Sequence, residues 1–293
     1  MSIWVMAARP RTLPAAIAPV LVGTAAAVWA SDGLRIGPFV AALAGSILIQ
    51  IGTNLANDYS DAKRGADPDD RLGPVRVTSS ALVAPRRVLV ATWLAFGAAV
   101  AVGIYLAAVS GPLILVVGAL SILAGVLYTG GPRPYGYAGL GELFVFLFFG
   151  LVAVNGSYYV QVEELDWLPF GLSIAVGCLA TAILVVNNVR DIDTDRRAHK
   201  HTLAVRIGRD RARSLYVIVV ASAYLMVPLT LLAAGGPCWA LLALASAPLA
   251  RGPMAAVRTR TDGPALNRAL AETGMLLAAF SLLLSAGLLI AAP

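Results

Sequence analysis

Residues 168–188 read LPFGLSIAVGCLATAILVVNN, and residues 189–195 continue as VRDIDTD. The first segment is apolar for about 20 residues, which is the length that an α-helix needs to cross the hydrocarbon core of a bilayer. The second segment places three aspartates directly after it. The pattern therefore predicts a membrane-spanning helix that ends in a cluster of carboxylates.

Apolar windows of the same kind recur from one end of the chain to the other. They lie at residues 13–30, 38–57, 88–109, 112–129, 141–160, 168–188, 213–233, 237–257 and 269–291. The chain of 293 residues is 59% hydrophobic, has 13% charged residues and has a mean hydropathy of +0.80, whereas soluble domains are about 25% charged. A water-soluble globule is excluded. We predict an all-α integral membrane protein, one domain over residues 1–293, with nine transmembrane helices around a central cavity.

The basic residues indicate how these helices are oriented, because cytoplasmic loops of membrane proteins retain Lys and Arg. If the N-terminus lies inside, only Arg35 of the 22 basic residues falls in a loop on the opposite side. We therefore predict a multi-pass protein of the cell membrane with a polar cap and an active site on the cytoplasmic side. This topology accounts for the net charge of +6, and we expect no nucleic-acid partner.

Two of the predicted cytoplasmic loops are similar to each other. Asn57 and Asp61 stand four residues apart at the end of the second window, and Asn187 and Asp191 do the same after the sixth. The similarity indicates a weak internal repeat, with helices 1–4 and 5–8 as its halves and the ninth helix outside it. In membrane proteins such repeats place a shared site between the halves.

The spacing of the acids suggests what that site binds. Asn187, Asp191 and Asp195 are each four apart, so a continued helix places them on one face. Hard oxygen ligands suit Mg²⁺, which bridges one or two carboxylates to substrate phosphates. Two opposed faces would clamp a diphosphate through metal ions. The candidate metal ligands from this pattern are Asp58, Asp61, Asp191 and Asp195.

Basic residues accompany the acids. Lys63 and Lys200 are the only lysines, and each lies in one of the acidic loops. Arginines can add bidentate contacts to phosphate, and the candidates are Arg64, Arg71, Arg76 and Arg190. A third loop, residues 128–142, is rich in Gly and Pro, and two interpretations of it stay open. Either its tyrosines and Arg133 face the substrates, or it is a linker in which Glu142 opens the next helix.

The acidic runs NDYSD at residues 57–61 and DIDTD at residues 191–195 resemble the two aspartate-rich motifs of UbiA-type intramembrane aromatic prenyltransferases. Further stretches are similar to the MenA branch of that family, which acts on 1,4-dihydroxy-2-naphthoate. They are ARPRTLP at 8–14, the segment 57–74, YTGGP at 128–132, GLGE at 139–142 and NNVRD at 187–191.

The resemblance implies a specific reaction. Mg²⁺ bound by both motifs would hold a polyprenyl diphosphate and assist its ionisation to an allylic cation. The ring of 1,4-dihydroxy-2-naphthoate would attack that cation, and loss of carboxylate and a proton would give demethylmenaquinone. The family has a further aspartate four residues after the one at Asp61. Gly65 stands there in this chain, and Asp67 is the candidate to replace it as a metal ligand.

The expected site follows from the pattern and the resemblance together. The catalytic candidates are Asp61, Asp191, Lys63, Lys200 and Glu142. The candidates for substrate binding are Asn54, Asn57, Arg64, Arg71, Arg76, Tyr128, Arg133, Tyr135, Asn187, Asn188, Arg190 and Thr202. The candidate metal ligands are Asp58, Asp61, Asp67, Asp191 and Asp195.

Two alternative functions are compatible with the sequence. One is a UbiA-type transferase for another acceptor, such as 4-hydroxybenzoate, haem or a chlorophyllide. The other is a secondary transporter, although the polar residues of a transporter should lie near the bilayer midplane and these acids cluster at one surface.

Overall fold

The computed structural model describes residues 3–31, 33–66, 72–73 and 76–292, and this part of the chain contains helices and no strands. In chain order the α-helices are α1 (Ile3–Ala8), α2 (Leu13–Ala30), α3 (Ile36–Lys63), α4 (Pro85–Ser110), α5 (Leu113–Leu127), α6 (Gly141–Val145), α7 (Ala153–Val162), α8 (Trp167–Arg197), α9 (Leu203–Ile207), α10 (Arg209–Ala234), α11 (Arg251–Thr259) and α12 (Gly263–Ile290). Three other helical segments connect them: a 3₁₀ turn (Pro10–Thr12), a π-helical segment (Phe146–Val152) and a 3₁₀ segment (Cys238–Ala250).

Each apolar window of the sequence falls on a helix. Within the described residues, 8 helical segments are long and apolar enough to cross a membrane. The window at 112–129 corresponds to α5, which has only 15 residues. The all-α membrane architecture is therefore confirmed, with one helix shorter than a standard span.

The two helices that carry the acidic motifs extend further than the apolar windows predict. α3 continues to Lys63 and α8 to Arg197, so both motifs lie on the last turns of continuous helices. α3 ends next to Gly65, whose φ of +64° is the left-handed conformation that commonly terminates a helix. Gly65 thus stops α3 directly after the first acidic motif.

The centre of the bundle is α8, which packs against α2, α10, α12 and the π-helical segment. The last of these contacts is a backbone contact, since a Cβ added to Gly150 would lie only 2.6 Å from Cα of Gly177. Small residues allow this close approach in membrane bundles, where packing rather than the hydrophobic effect joins helices. The wider π-helical turn changes the direction in which the neighbouring side chains project.

Arg35 joins three chain segments at the end of the bundle opposite the acidic motifs. Its backbone N–H donates to Oε1 of Gln161 (2.9 Å), and Nη2 donates to the carbonyl of Val109 (2.8 Å). Nη1 forms an ion pair with Glu163 (2.9 Å). The single basic residue that the sequence places on this side therefore ties the α2–α3 connection to the ends of α4 and α7.

Candidate active site

A cavity of about 370 Å³ lies between α3 and α8, and both acidic motifs line it. Asp61 reaches the cavity from α3, and Asp191 and Asp195 reach it from α8. Most of the wall away from these acids is apolar, with Leu106 and Val160 among the lining residues. The two motifs thus share one pocket, as the proposed clamp for a diphosphate requires.

The candidate site residues divide according to whether they line this cavity. Those that do are Asn54, Asn57, Asp61, Arg76, Tyr128, Tyr135, Asn187, Asn188, Asp191, Asp195, Lys200 and Thr202. The lining does not include Asp58, Lys63, Arg64, Arg133, Glu142 and Arg190. Asp67 and Arg71 lie outside the described residues.

Asp61 is the centre of the first corner of the site, and its side chain is only 1% exposed. The hydroxyl of Tyr137 donates to Oδ1 (2.7 Å). Nη2 of Arg76 lies 2.7 Å from Oδ2, and Nζ of Lys200 lies 3.2 Å from it. Lys200 follows α8 in the chain, so this ion pair joins the two motifs directly. A buried carboxylate is tolerated only with such partners, and here three groups supply them.

Tyr137 shields this corner on the side of the Gly- and Pro-rich loop. Nζ of Lys200 lies 4.9 Å from the centre of its ring, and the guanidinium of Arg64 lies 5.7 Å from it. Burial, and then the negative charge of Asp61, raise the pKa of Tyr137 above its usual range. The hydroxyl therefore remains a protonated donor to Asp61. Arg64 also donates to the carbonyl of Gly131, which fixes the loop to the end of α3.

Asp58 has a different environment from Asp61, although both are on α3 and both are buried. Its Oδ2 accepts from the N–H of Val77 (3.1 Å), and its Oδ1 accepts from the N–H of Thr78 (3.0 Å). These amides directly follow Arg76 in the chain. Asp58 thus anchors the segment that brings the Arg76 guanidinium to Asp61.

Asp191 is the centre of the second corner, and Arg190 holds it from outside the cavity. Nε of Arg190 donates to Oδ1 of Asp191 (2.8 Å) and Nη2 donates to Oδ2 (2.6 Å). The guanidinium also donates to the amide oxygens of Asn267 (2.7 Å) and Asn187 (2.7 Å). These donors of Arg190 therefore bind protein groups, and the two bonds to the carboxylate fix the orientation of Asp191.

Of the other candidates outside the cavity lining, two are exposed to solvent and one is buried. Lys63 and Arg133 are exposed. Glu142 is buried beside the cavity wall, and its Oε1 accepts from Nδ2 of Asn188 (2.9 Å).

Several cavity residues were not predicted from the sequence. The hydroxyl of Thr129 donates to Oδ1 of Asn57 (2.9 Å), and Tyr137 and Gln50 contribute as well. The sequence could have indicated Gln50, because it is a polar residue inside an apolar window, four positions before Asn54 and on the same helical face. Nothing in the sequence distinguished Tyr137 from the other tyrosines of its loop.

The donor set fits a magnesium diphosphate. Among the described residues, no three Asp, Glu, His or Cys side chains form a group that could enclose a cation alone. Mg²⁺ commonly takes one or two carboxylates and completes its shell with phosphate oxygens and water, and Asp61 and Asp191 fit that pattern. Thr202 lines the cavity with a buried hydroxyl that has no hydrogen-bond partner in the described part of the chain. An unsatisfied buried hydroxyl at this point suits a phosphate oxygen.

A helical bundle with 8 segments long and apolar enough to cross a membrane among its described residues, and with a largely apolar cavity that two acidic corners line, is an integral membrane protein with an internal binding site. Residues 16–282 match the UbiA prenyltransferase family. The chain belongs to this family and is a multi-pass membrane enzyme.

Individual relatives are similar over most of their length. The chain is 45% identical over 285 residues to the 1,4-dihydroxy-2-naphthoate octaprenyltransferase of Mycobacterium tuberculosis, covering 97% of this chain and 96% of the relative. It is 42% identical over 256 residues to the enzyme of the same name from Escherichia coli, covering 84% and 82%. The Bacillus subtilis enzyme of this name is 34% identical over 287 residues, covering 96% and 90%.

Solved structures share the fold. A UbiA homolog from Archaeoglobus fulgidus, bound to DMAPP and Mg²⁺, superposes with a TM-score of 0.67 at 13% identity and covers 97% of this chain and 99% of its own. A UbiA homolog from Aeropyrum pernix without ligand gives a TM-score of 0.67 at 14% identity, covering 95% and 97%.

Proposed function

We propose that this enzyme transfers a polyprenyl group from polyprenyl diphosphate to 1,4-dihydroxy-2-naphthoate. Loss of the carboxylate accompanies the transfer, which forms the carbon skeleton of demethylmenaquinone in menaquinone synthesis. The observation that carries the proposal is the meeting of Arg76, Lys200 and Asp61 at the polar end of an apolar cavity. The naphthoate prenyltransferases that resemble the chain at 34% to 45% identity support the choice of acceptor.

We propose that Mg²⁺ binds at Asp61, Asp191 and Asp195, with Asp67 as a further candidate ligand. When bound, it would neutralise charge on the diphosphate and assist its departure. Arg76 and Lys200 pair with Asp61 in the structure, and their ammonium and guanidinium groups are placed to donate to phosphate oxygens. The Thr202 hydroxyl supplies another donor. We propose a positioning role for Asp58 and Arg190, whose side chains act through Arg76 and Asp191.

The remaining walls suit the isoprenoid and the allylic cation. Apolar residues along the cavity accommodate the tail and exclude water, which would otherwise capture the cation. The Tyr135 and Phe144 rings stack with centroids 3.9 Å apart, and Tyr128 packs edge-on against Tyr135. All three side chains line the cavity. Their ring faces are suited to stabilise positive charge that develops above them.

We also propose the topology in the membrane. α5 would act as a ninth, short span, the N-terminus would lie in the cytoplasm, and the polar cap with its active site would face the cytoplasm. The 293 residues would form one domain, with α3 and α8 as equivalent helices of a weak internal repeat. The distribution of basic residues supports this orientation.

Two observations disfavour the alternatives. The relatives quoted above are named for a naphthoate acceptor rather than for 4-hydroxybenzoate, haem or chlorophyllide. The acids of the cavity lie on the last turns of α3 and α8, whereas a transporter site would lie near the bilayer midplane.

A panel of acceptors tests the proposal. Purified protein is incubated with a polyprenyl diphosphate and either 1,4-dihydroxy-2-naphthoate or 4-hydroxybenzoate, with Mg²⁺ or with EDTA. We expect a prenylated, decarboxylated naphthalene product only with Mg²⁺. A prenylated hydroxybenzoate without a naphthalene product would overturn the choice of acceptor, and equal rates in EDTA would overturn the metal dependence.

A further inference from the structure

A second polar corner lies in the same cavity, deeper than the acids. It is formed by Thr12, at the end of the N-terminal 3₁₀ turn, and by Gln50 and Asn54 of α3, and all three residues line the cavity. Gln50 is 7% exposed and Asn54 is 4% exposed. Buried polar atoms are normally hydrogen-bonded, so an amide atom that faces the cavity without a protein partner indicates a place for a ligand.

The hydrogen bonds fix how both amides are oriented. The hydroxyl of Thr12 donates to the carbonyl of Arg9 (3.0 Å), so its oxygen can only accept from other groups. It accepts from Nε2 of Gln50 (3.0 Å) and from Nδ2 of Asn54 (3.1 Å). Nδ2 of Asn54 also donates to the carbonyl of Ala8 (3.0 Å). Both N–H groups of Asn54 Nδ2 and one of the two on Gln50 Nε2 therefore donate to protein acceptors, and these bonds turn the carbonyl oxygen of each amide away from Thr12.

The carbonyl oxygens of the two amides are consequently left for a ligand. Neither Oε1 of Gln50 nor Oδ1 of Asn54 has a hydrogen-bond partner within the described residues. Carbonyl oxygens accept hydrogen bonds and cannot donate them. The corner therefore selects a ligand group that carries a proton, such as a hydroxyl.

Of the two proposed substrates, only the aromatic acceptor offers such a group. An ionised diphosphate has acceptor oxygens alone and would be repelled by amide carbonyls, and an isoprenoid tail has no polar hydrogen. Gln50 and Asn54 are four residues apart on α3, a rise of about 6 Å, which is comparable to the width of one aromatic ring bearing oxygens at opposite positions. Both lie on the face of α3 that carries Asn57 and Asp61, below the diphosphate corner.

We propose that Gln50 and Asn54 bind the ring hydroxyl groups of the aromatic acceptor, and that Thr12 positions both amides for this task. This inference rests on the proposed function, since it concerns the acceptor of that reaction. It makes these residues determinants of acceptor specificity: the pair distinguishes a ring that carries hydroxyls from one that does not. A site built to bond a hydroxyl discriminates against its absence because the buried carbonyl is then left unsatisfied.

The test compares two ligands in matched variants. Binding of 1,4-dihydroxy-2-naphthoate and of 1-hydroxy-2-naphthoate, which lacks one hydroxyl, is measured by competition in prenyl transfer. We expect the natural chain to bind the dihydroxy compound about tenfold more tightly, the effect of one hydrogen bond. In Gln50→Met or Asn54→Leu the preference should fall to about twofold or less, while KM for the polyprenyl diphosphate stays within about twofold.

Thr12 provides an independent test, because its side chain is assigned no contact with the ligand. Thr12→Val removes the acceptor that orients both amides and should weaken the hydroxyl preference, whereas Thr12→Ser keeps the hydroxyl and should restore it. Ser46→Ala is the control in the same cavity, since the Ser46 hydroxyl already donates to the carbonyl of Ala16 (2.8 Å). We expect this control to keep the preference of the natural chain.

The outcomes separate this inference from the proposed function. If the natural chain prenylates the naphthoate but Gln50→Met, Asn54→Leu and Thr12→Val all keep its hydroxyl preference, the inference is wrong and the proposed function stands. If the natural chain does not prenylate the naphthoate at all, the proposed function is wrong.

Discussion

At Asp61, two cations and a phenol hydroxyl meet a single buried carboxylate. Arg76 comes from the segment between α3 and α4, Lys200 from the turn after α8, and Tyr137 from the loop after α5. The charge of Asp61 is thus balanced by groups from three distant parts of the chain. Any change at this position affects each of them.

Replacing Asp61 with Asn should reduce prenyl transfer by about 100-fold or more, because the variant removes a charge aimed at the reacting centre. It also leaves Arg76 and Lys200 without their buried partner. Turnover of purified protein with saturating substrates is the measurement. Asp193→Asn is the control, since Asp193 lies on α8 but its side chain is 65% exposed and pairs with Arg209. Equal losses in the two variants would contradict the role of Asp61.

Arg190 lies outside the cavity, and its effect on the reaction should act through Asp191. In Arg190→Lys the two-pronged contact with the carboxylate is lost, because an ammonium group cannot reproduce it. Groups that orient metal ligands typically affect metal affinity by about 10- to 100-fold. We expect half-maximal activity to require about tenfold more Mg²⁺, with a smaller change in turnover at saturating metal. An unchanged Mg²⁺ titration curve would exclude the positioning role.

Tyr137 is the third partner of Asp61, and the pH dependence of a Tyr137→Phe variant tests its role. Burial and Asp61 raise the pKa of Tyr137, so its hydroxyl stays neutral at pH values where an ordinary tyrosine ionises, near about 10. Tyr137→Phe should lower turnover several-fold at pH 7 because one donor to Asp61 is lost. It should leave the alkaline limb of the pH–rate profile unchanged up to pH about 10. A shift of that limb in the variant would show that Tyr137 ionises within the working range.

At the scale of the helices, the contact between the π-helical segment and α8 leaves no room for a side chain. Gly150→Ala would force its new methyl group against Gly177, and overpacking of this kind costs about 1–3 kcal/mol. We expect the Tm in detergent to fall by several degrees. Gly97→Ala is the matched control on α4, where an added Cβ meets nothing within 4 Å. If both variants unfold at the same temperature, the backbone contact does not contribute to stability.

The helices themselves could be predicted well from the sequence, and the reason is local. An apolar run of about 20 residues indicates a membrane-spanning helix by its own length and composition, so no other part of the chain is needed for the prediction. The run at 168–188 located α8, and the spacing of Asn187, Asp191 and Asp195 correctly indicated that the helix continues. The end of α3 was harder to predict, because its position depends on the left-handed conformation of Gly65.

The partners within the site could not be predicted, since they depend on tertiary contacts. The sequence identified Asp61 and Lys200 as members of two separate motifs, but only the fold brings them within 3.2 Å. Arg190 appeared to be a phosphate ligand because it lies beside Asp191 in the chain. On α8 its side chain instead points towards Asn267 of α12, a residue that no motif had marked.

At the scale of the whole molecule, the proposed orientation can be tested by chemical labelling from one side. Cys238 is exposed and follows α10, at the same end of the bundle as the loop around residue 164. With the N-terminus inside, an impermeant maleimide should label Cys238 in intact cells. In a Cys238→Ala background, Arg133→Cys should react only after the membrane is permeabilised. The reverse pattern would invert the topology and place the acidic corners outside.

The short helix α5 has a consequence for the lipid around the protein. Its 15 residues extend for about 22 Å, against about 30 Å of hydrocarbon. If α5 spans the bilayer as proposed, the lipid beside it thins, or polar residues next to the helix reach further to the interface. The Gly- and Pro-rich loop that follows α5 packs back against that helix, since the hydroxyl of Tyr135 donates to the carbonyl of Ala124 (2.9 Å). A water-soluble aromatic acid that approaches where the lipid is thinner would reach the cavity beside this loop, whose Tyr128 and Tyr135 line it.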